Sequence, residues 1–243
     1  MIALICSVQA EAEFLQEAMS VTRQSSLGSK QIIEGELVGR QVLLCVSGMG
    51  KVNAAHAATL LLSRFAPDAL LNFGIGGAYP SSGARIGSIA IAKVEIAGDE
   101  GVLTPDGFKD TEYIGIPLLK TSASVIYSTY PASEPLVKRA LHSLMSYQRP
   151  GENTVHVGTF VTLSTCTGTA ARARELEERH HGLCENMEGA AVAHVAALHG
   201  IPWLEVRSIS NLVEDRDLGK WDIPRAAQAA QQAIQHIVEG WDS

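Results

Sequence analysis

Short apolar runs alternate with helix-like stretches along most of this chain, and this alternation constrains its fold more than any other feature. The runs typical of strands cover residues 2–6, 31–38, 41–46, 69–73, 86–94, 155–164 and 203–209. The stretches with helical character cover residues 10–20, 51–65, 133–146, 169–180, 187–199 and 224–239. Alternating strands and helices predict an α/β fold with helices on both faces of a sheet. A hairpin-like pattern between Gly35 and Gly39 adds an antiparallel part, so the predicted sheet is mixed.

The composition favours one large domain. With 243 residues, of which 46% are hydrophobic and 19% charged, the chain can bury a sizeable core and has no signature of disorder. No repeat or charge block divides it, so residues 1–243 are predicted to form a single domain. Two stretches rich in turn formers, 96–118 and 147–154, are interpreted as loops, and the first is long enough to border a pocket.

Charge and apolar runs limit the partners of the chain. A net charge of −7 argues against nucleic acid, whose phosphates require a basic face. No apolar run approaches the roughly 18–20 residues of a membrane span, and a strand-like run directly after Met1 leaves no room for a signal peptide. Together with cysteines that form no CxxC pair, this predicts a cytoplasmic protein with reduced thiols.

A carboxylate and an amide occupy positions suited to ligand binding. Glu188 lies in the first turn of the predicted 187–199 helix, and Asn211 follows the predicted 203–209 strand. Ligands of α/β sheets bind beyond the carboxyl ends of the strands. Taken alone, each residue also has a structural explanation, because acids stabilise helix N-termini and asparagine is a common turn former. The small residues after Glu188, Gly-Ala-Ala, favour a ligand because they leave space beside the carboxylate.

Two glycine-rich turns follow predicted strands, at residues 47–53 (Ser-Gly-Met-Gly-Lys-Val-Asn) and 72–78 (Asn-Phe-Gly-Ile-Gly-Gly-Ala). The first does not match a Walker A motif, because Lys51 precedes Val52, and neither has the dinucleotide fingerprint. We interpret both as places where the backbone approaches a planar ligand closely. The eight histidines have no metal-ligand spacing, so we predict neither a cofactor nor a metal.

Three other charged residues stand at the edges of predicted elements. Glu11 opens the helix after the first strand, where a surface acid that complements the helix dipole is one interpretation. Glu205 and Arg207 share one face of the 203–209 strand. We interpret these two as a structural ion pair and assign them no part in catalysis.

Five segments together resemble the purine nucleoside phosphorylase/nucleosidase family over nearly the whole chain. They are Glu11, residues 47–55 (Ser-Gly-Met-Gly-Lys-Val-Asn-Ala-Ala), 74–78 (Gly-Ile-Gly-Gly-Ala), 186–190 (Asn-Met-Glu-Gly-Ala) and 207–211 (Arg-Ser-Ile-Ser-Asn). The resemblance implies a three-layer α/β/α fold with a mixed, partly barrel-like central sheet. It also implies a small-molecule nucleoside as ligand and a homo-oligomer, commonly a dimer among the nucleosidases.

The resemblance assigns roles to matching residues. Glu188 holds the sugar hydroxyls, Glu11 activates a water molecule, and Asn211 meets the purine. The other substrate contacts predicted in this way are Gly74, Ile75, Gly76, Gly77, Thr165, Cys166, Asn186, Met187, Ser210 and Arg216.

The resemblance also favours water as the nucleophile. Hexameric phosphorylases of the family carry an arginine and a serine at the positions of Asn72 and Ile75. A phosphate dianion at these residues would lose its hydration without compensation, at a cost of several kcal/mol. We therefore predict hydrolysis rather than phosphorolysis.

Asn211 bears on which base leaves. Family members that release adenine usually carry aspartate at this position, which protonates the base. An amide cannot give up a proton, but it can bind the N7–H and 6-oxo groups of a 6-oxopurine. Loss of the general acid should slow adenine release by roughly 10²–10⁴-fold. Hypoxanthine is therefore the expected leaving base.

A closer resemblance within the family rests on residues 186–190, residues 209–211 and the pair Arg216 and Trp221. It implies that the substrate is futalosine, an intermediate of a route to menaquinone. Arg216 and Lys220 are the candidate partners of its benzoate, although both could be solvated surface residues. Two alternatives stay open, which are a methylthioadenosine/S-adenosylhomocysteine nucleosidase and a purine-binding module without turnover. A dinucleotide oxidoreductase is disfavoured because its fingerprint is missing.

Overall fold

The computed structural model describes residues 1–121, 124–147 and 154–242. Its strands are β1 (Ile2–Cys6), β2 (Ser20–Leu27), β3 (Lys30–Leu37), β4 (Arg40–Val46), β5 (Ala69–Ala78), β6 (Ile89–Ala97), β7 (Gly101–Thr104), β8 (Gly107–Asp110), β9 (Leu119–Lys120), β10 (Val125–Ile126), β11 (Thr129–Pro131), β12 (Val155–Thr162), β13 (Gly182–Asn186) and β14 (Trp203–Leu212). Its helices are α1 (Glu13–Ala18), α2 (Lys51–Phe65), α3 (Thr111–Ile114), α4 (Glu134–Tyr147), α5 (Ala170–His180), α6 (Gly189–His199) and α7 (Ile223–Glu239).

Five strands of the main sheet close into a ring in the order β5-β14-β6-β12-β13. From β5 the sheet continues through β1, β4, β3 and β2, and β11 pairs with the outer part of β6. Parallel pairs such as β1–β5 and β5–β14 occur beside antiparallel pairs such as β13–β5 and β3–β4. The prediction of a mixed, partly barrel-like α/β sheet is therefore confirmed.

Helices cover the two faces of the sheet, which gives three layers. Along β1, Ala3 and Ile5 pack in a core cluster with α2 and α6. Ile2 and Leu4 point to the opposite cluster, which contains residues of α1, α4 and α7. This alternation follows from the two-residue period of a strand, and the apolar run of β1 reflects burial on both faces. Within the described residues, no helix has both the length and the apolar character needed to cross a membrane.

The elements depart from the sequence predictions in several places, and one of the five ring strands, β13, was not predicted. The stretch 96–118 is not a simple loop, because it contains the β7–β8 hairpin and α3. Gly107 makes this hairpin possible with a φ of +103°, a conformation that favours glycine. β2 was not predicted, because it is a largely exposed strand without apolar alternation. The predicted turn at 147–154 falls mostly outside the described residues.

Candidate active site

A cavity of about 260 Å³ opens at one edge of the closed ring, beside the ends of β1, β5, β13 and β14. Most residues predicted to bind substrate line it, namely Glu11, Ile75, Gly76, Gly77, Cys166, Asn186, Met187, Glu188, Ser210, Asn211 and Arg216. Two predicted contacts, Gly74 and Thr165, are not among the lining residues. The ring thus brings together side chains that are up to about two hundred positions apart in the sequence.

Glu11 is held at the cavity by three backbone amides. Its Oε2 accepts hydrogen bonds from the N–H groups of Ser7 (2.9 Å) and Val8 (3.1 Å), and its Oε1 accepts one from Ile75 (2.8 Å). Burial raises the pKa of the Glu11 carboxyl, while Arg207 and the three amides oppose this rise. The result is a carboxyl group with a fixed orientation and a higher proton affinity than a surface glutamate, which suits a general base.

Gly74 lies behind Glu11, which explains its absence from the lining. A Cβ atom at this position would lie 2.4 Å from Oε1 of Glu11 and 3.1 Å from Nη1 of Arg207. Glycine is therefore needed here because the carboxylate occupies the space of a side chain. The contact predicted between Gly74 and substrate stays a prediction.

Glu188 lies one residue before α6, at the N-cap rather than in the first turn as predicted. Its Oε1 accepts a hydrogen bond from the Gly50 amide at 2.9 Å, and its Oε2 accepts one from Nη2 of Arg207 at 3.2 Å. Gly50 has a φ of +91°, so the 47–53 turn needs glycine to present this amide. Asn186 caps α6 instead, because its Oδ1 accepts from the amides of Glu188 (2.9 Å) and Gly189 (2.7 Å).

Arg207 is the main site residue that the sequence analysis missed. Its buried guanidinium donates from Nε to Oε1 of Glu205 (2.8 Å), from Nη1 to the carbonyl of Ile75 (3.0 Å) and from Nη2 to Glu188. Burial alone would lower the pKa of Arg207, but the carboxyl groups of Glu205, Glu188 and Glu11 raise it. The predicted Glu205–Arg207 ion pair is present, but Arg207 also lines the cavity and links both candidate functional glutamates. A charged side chain within a strand buried along nearly its whole length was the available signal.

Asn211 presents its amide in a fixed orientation. Its Oδ1 accepts a hydrogen bond from the Ser210 hydroxyl (2.8 Å), and its Nδ2 donates to the carbonyl of Leu212 (2.9 Å). An amide oxygen can accept two hydrogen bonds and an NH₂ group can donate two. One acceptor and one donor position therefore remain for a ligand. Gly77 adjoins them, since a Cβ there would lie 3.2 Å from Nδ2.

A loop after β12 and a segment after β14 form one rim of the cavity. The Arg216 guanidinium stacks over the Trp221 ring at 4.7 Å and donates to Sγ of Cys166 at 3.4 Å. Glu185 anchors the loop by accepting from the Thr167 amide (2.8 Å) and hydroxyl (2.6 Å). Trp221 also lines the cavity and was not predicted. Thr165 is exposed on the same loop, outside the lining.

Fold and site together define an α/β protein with a cavity lined by buried carboxyl groups beside a closed five-stranded ring. The model of the phosphorylase superfamily matches residues 1–240, and the chain belongs to this family.

Two curated relatives of the chain have different substrates in their names. The futalosine hydrolase of Streptomyces coelicolor is 37% identical over 207 residues, which cover 82% of this chain and 80% of that protein. The 5'-methylthioadenosine/S-adenosylhomocysteine nucleosidase of Mycobacterium bovis is 27% identical and covers 87% and 85%, respectively.

A solved structure has the same fold. It is the 5'-methylthioadenosine/S-adenosylhomocysteine nucleosidase of Neisseria meningitidis in complex with methylthio-immucillin-A. The two chains superpose with a TM-score of 0.84 over 98% of each, at 23% sequence identity. The three-layer fold expected from the resemblance is therefore confirmed.

Proposed function

We propose that the chain hydrolyses the N-glycosidic bond of a 6-oxopurine nucleoside and that its substrate is futalosine, which yields hypoxanthine and dehypoxanthine futalosine. The enzyme is an N-glycosyl hydrolase of purine nucleosides, as the names of its relatives support. The assignment of hypoxanthine as the leaving base rests on the oriented Asn211 amide, which has one free acceptor and one free donor position.

The reaction begins with a nucleoside whose sugar lies between Glu188 and Glu11. Glu188 binds the 2′ and 3′ hydroxyls. Its carboxylate is held in place by the Gly50 amide and by Arg207. Glu11 removes a proton from a water molecule as that water attacks C1′. The breaking bond leaves positive charge on the sugar, and the two carboxylates stabilise this oxocarbenium-like transition state.

The base leaves at the opposite end of the cavity. The departing base takes up a proton from solvent at N7, and Glu11 later returns the proton of the water to solvent. The Asn211 carbonyl accepts from the N7–H so formed, and its NH₂ group donates to O6, where a 6-oxopurine carries leaving-group charge. Adenine has an amino group at this position and needs a proton that an amide cannot supply. The Leu212 carbonyl, which can only accept, fixes the orientation of the Asn211 amide by binding Nδ2, and the Ser210 hydroxyl adds a bond to Oδ1, so the pattern of donor and acceptor stays fixed.

Charge supports water over phosphate as the nucleophile. Glu11, Glu185 and Glu188 line the cavity, and a phosphate dianion would be repelled by those that are ionised. The two arginines of the lining do not offset this, because Arg207 is bound by Glu188 and Glu205, and Arg216 lies at the rim.

Arg216 is the proposed partner of the benzoate of futalosine. Its stacking on Trp221 orients the guanidinium, and arginine is suited to planar recognition of a carboxylate. Lys220, the other candidate, is paired with Glu214 at 2.7 Å and does not line the cavity. The structure therefore favours Arg216.

The same proposal includes the wider setting of the enzyme. We expect a single domain that acts in the cytoplasm, in menaquinone biosynthesis, as a homo-oligomer. Exposed apolar side chains on the α2 and α6 side, among them Val52 and Leu198, are compatible with a second copy there. Measurement of the mass in solution tests the oligomer.

A 5'-methylthioadenosine/S-adenosylhomocysteine nucleosidase remains the second candidate, because a relative and a structural neighbour carry that name. Incubation with futalosine, inosine, methylthioadenosine and S-adenosylhomocysteine, each with and without phosphate, separates the two. We expect hypoxanthine from futalosine at a rate independent of phosphate. Adenine as the preferred product would reject the 6-oxopurine assignment, and tight purine binding without turnover would indicate a binding module.

A further inference from the structure

A pair of carboxyl groups outside the proposed reaction lies beside the Glu188–Arg207 contact. Glu95 extends from β6 and Glu205 from β14, and both side chains are 0% exposed. Together with Glu11 and Glu188 they place four carboxyl groups around the single guanidinium of Arg207. Four ionised carboxylates would leave this interior with an excess of three negative charges, which burial strongly disfavours.

In each carboxyl group of the pair, one oxygen accepts hydrogen bonds and the other does not. Oε1 of Glu95 accepts hydrogen bonds from the Thr162 hydroxyl and from Nδ2 of Asn186 (3.0 Å). Oε1 of Glu205 accepts from Nε of Arg207. In the described part of the chain no hydrogen bond is formed to Oε2 of Glu95 or to Oε2 of Glu205, and the other donor beside Glu205 is Nδ2 of Asn72, which is itself without a partner. A buried polar atom without a partner costs about 1–3 kcal/mol.

The backbone of Gly189 shows that the two groups converge. A Cβ atom at this position would lie 2.2 Å from Oε2 of Glu205 and 2.7 Å from Cδ of Glu95. The unbonded side of Glu205 and the carboxyl group of Glu95 therefore adjoin the same small volume. Because Gly189 has no side chain, the two carboxyl groups can occupy that volume.

Every element packed around the pair contributes a polar or titratable group. Arg207 comes from β14, Asn72 from β5, Thr162 from β12, Cys184 and Asn186 from β13, and Glu188 from the start of α6. Of these, Arg207 supplies positive charge, and Glu188 adds negative charge. The surroundings therefore do not favour two ionised carboxylates side by side.

We propose that Glu95 and Glu205 share one proton, which Oε2 of Glu95 carries and donates to Oε2 of Glu205. This hydrogen bond satisfies both unbonded oxygens at once and leaves Glu205 as the anion that pairs with Arg207. Burial and the charge of Glu205 raise the pKa of Glu95 well above its ordinary value. Burial also raises the pKa of Glu205, against the opposing effect of Arg207.

The shared proton makes Glu95 and Glu205 positioning residues for the sugar site. Glu205 fixes Nε of Arg207, and the other end of the guanidinium holds Glu188 and the carbonyl of Ile75. Loss of the proton at high pH would place two carboxylates in competition for Arg207 and weaken its contact with Glu188. This kinetic consequence rests on the proposed function, whereas the proton itself does not.

Infrared spectroscopy of the intact protein detects the proton directly. At about pH 8, where ordinary glutamates are ionised, we expect the wild type to show the carbonyl band of a protonated carboxylic acid. The band should disappear in Glu95→Gln and persist in Glu11→Gln and in Glu185→Gln, which remove the two other cavity-lining carboxyl groups with a raised pKa. A wild type without the band, or a Glu95→Gln spectrum that keeps it, would overturn the proposal whatever the substrate.

Kinetics give a second and separate readout. In Glu95→Gln the amide oxygen keeps the bonds to Thr162 and Asn186, and its NH₂ group replaces the shared O–H. We expect kcat/KM within about threefold of wild type at neutral pH. The pH above which activity falls should move upward, because the amide that replaces the protonated Glu95 carboxyl cannot ionise. Glu205→Gln removes the anion from Arg207, and we expect a loss of roughly 10- to 100-fold, the value of one hydrogen bond to a charged group.

Glu100→Gln, which alters an acid paired with Lys51 away from the pair, is the matched control and should leave the pH profile unchanged. Equal losses in Glu95→Gln and Glu205→Gln, with unchanged melting temperatures, would show that Glu95 acts as an anion and contradict the shared proton.

Discussion

The Ser210 hydroxyl donates a hydrogen bond to Oδ1 of Asn211 at 2.8 Å, and together with the Leu212 carbonyl, which accepts from Nδ2, it holds the amide in one orientation at the base pocket. Without these two bonds the amide could rotate and exchange its donor and acceptor. The recognition of a 6-oxopurine therefore depends on a neighbouring hydroxyl as well as on the asparagine.

Ser210→Ala should lower kcat/KM for the hypoxanthine-releasing reaction about 10-fold, since one neutral hydrogen bond contributes about 1 kcal/mol. Ser208→Ala is the control on the same face of β14, because the Ser208 hydroxyl has no hydrogen-bond partner within the described residues. Steady-state kinetics of both variants check this. Equal activity of the two variants would mean that Ser210 does not orient Asn211.

Asn211→Asp should increase the release of adenine from methylthioadenosine, because an aspartic acid can protonate the departing base. We expect a gain of about 10²-fold, as general acid catalysis commonly provides. Product analysis by chromatography gives the ratio of adenine to hypoxanthine. An unchanged ratio in a folded variant would reject the leaving-group argument.

Glu11→Gln should reduce hydrolysis by roughly 10²–10⁴-fold while nucleoside binding persists, because only the base is lost. In the wild type, activity should fall as the pH falls through the pKa of Glu11, since only the ionised carboxylate accepts a proton. Burial raises this pKa above its ordinary value of 4.5, so the acid limb should lie above that value. Glu13→Gln, an exposed change on α1, should preserve rate and pH profile.

Arg216→Ala should raise KM for futalosine about 10-fold and leave KM for inosine unchanged, because only futalosine carries a carboxylate for the guanidinium. Lys220→Ala tests the other candidate cation and should alter neither value. An increase of KM for both substrates in Arg216→Ala would instead point to a general effect on the rim formed with Trp221 and Cys166.

Pattern in the sequence predicted most of the fold, because strand and helix periods are local properties. α2 was predicted with its observed bounds, and the helix predicted at 224–239 is α7. β2 escaped detection since an exposed strand has no apolar alternation. The β7–β8 hairpin was hidden by its glycines, which occur in loops as often as in tight hairpins.

Two kinds of signal predicted the residues of the cavity. Glu188 and Asn211 were expected at the ends of elements, which indicated a shared edge of the sheet, whereas the role of Glu11 and the other contacts came from the family resemblance. The roles of Arg207 and Glu95 depend on partners from other strands, and no spacing within the sequence encodes such contacts. Arg207 and Glu95 meet their partners only in the folded structure, where the strands of the ring are adjacent.

Closure of the ring by β14 has a consequence for biosynthesis. Glu11 leaves the ribosome well before β14 and its Asn211, which lie about two hundred positions later in the chain. Until then β5 and β6 lack the strand that joins them, and unpaired strand edges are prone to aggregate. A chain truncated before Trp203 should therefore accumulate as inclusion bodies rather than as a soluble fragment with partial activity.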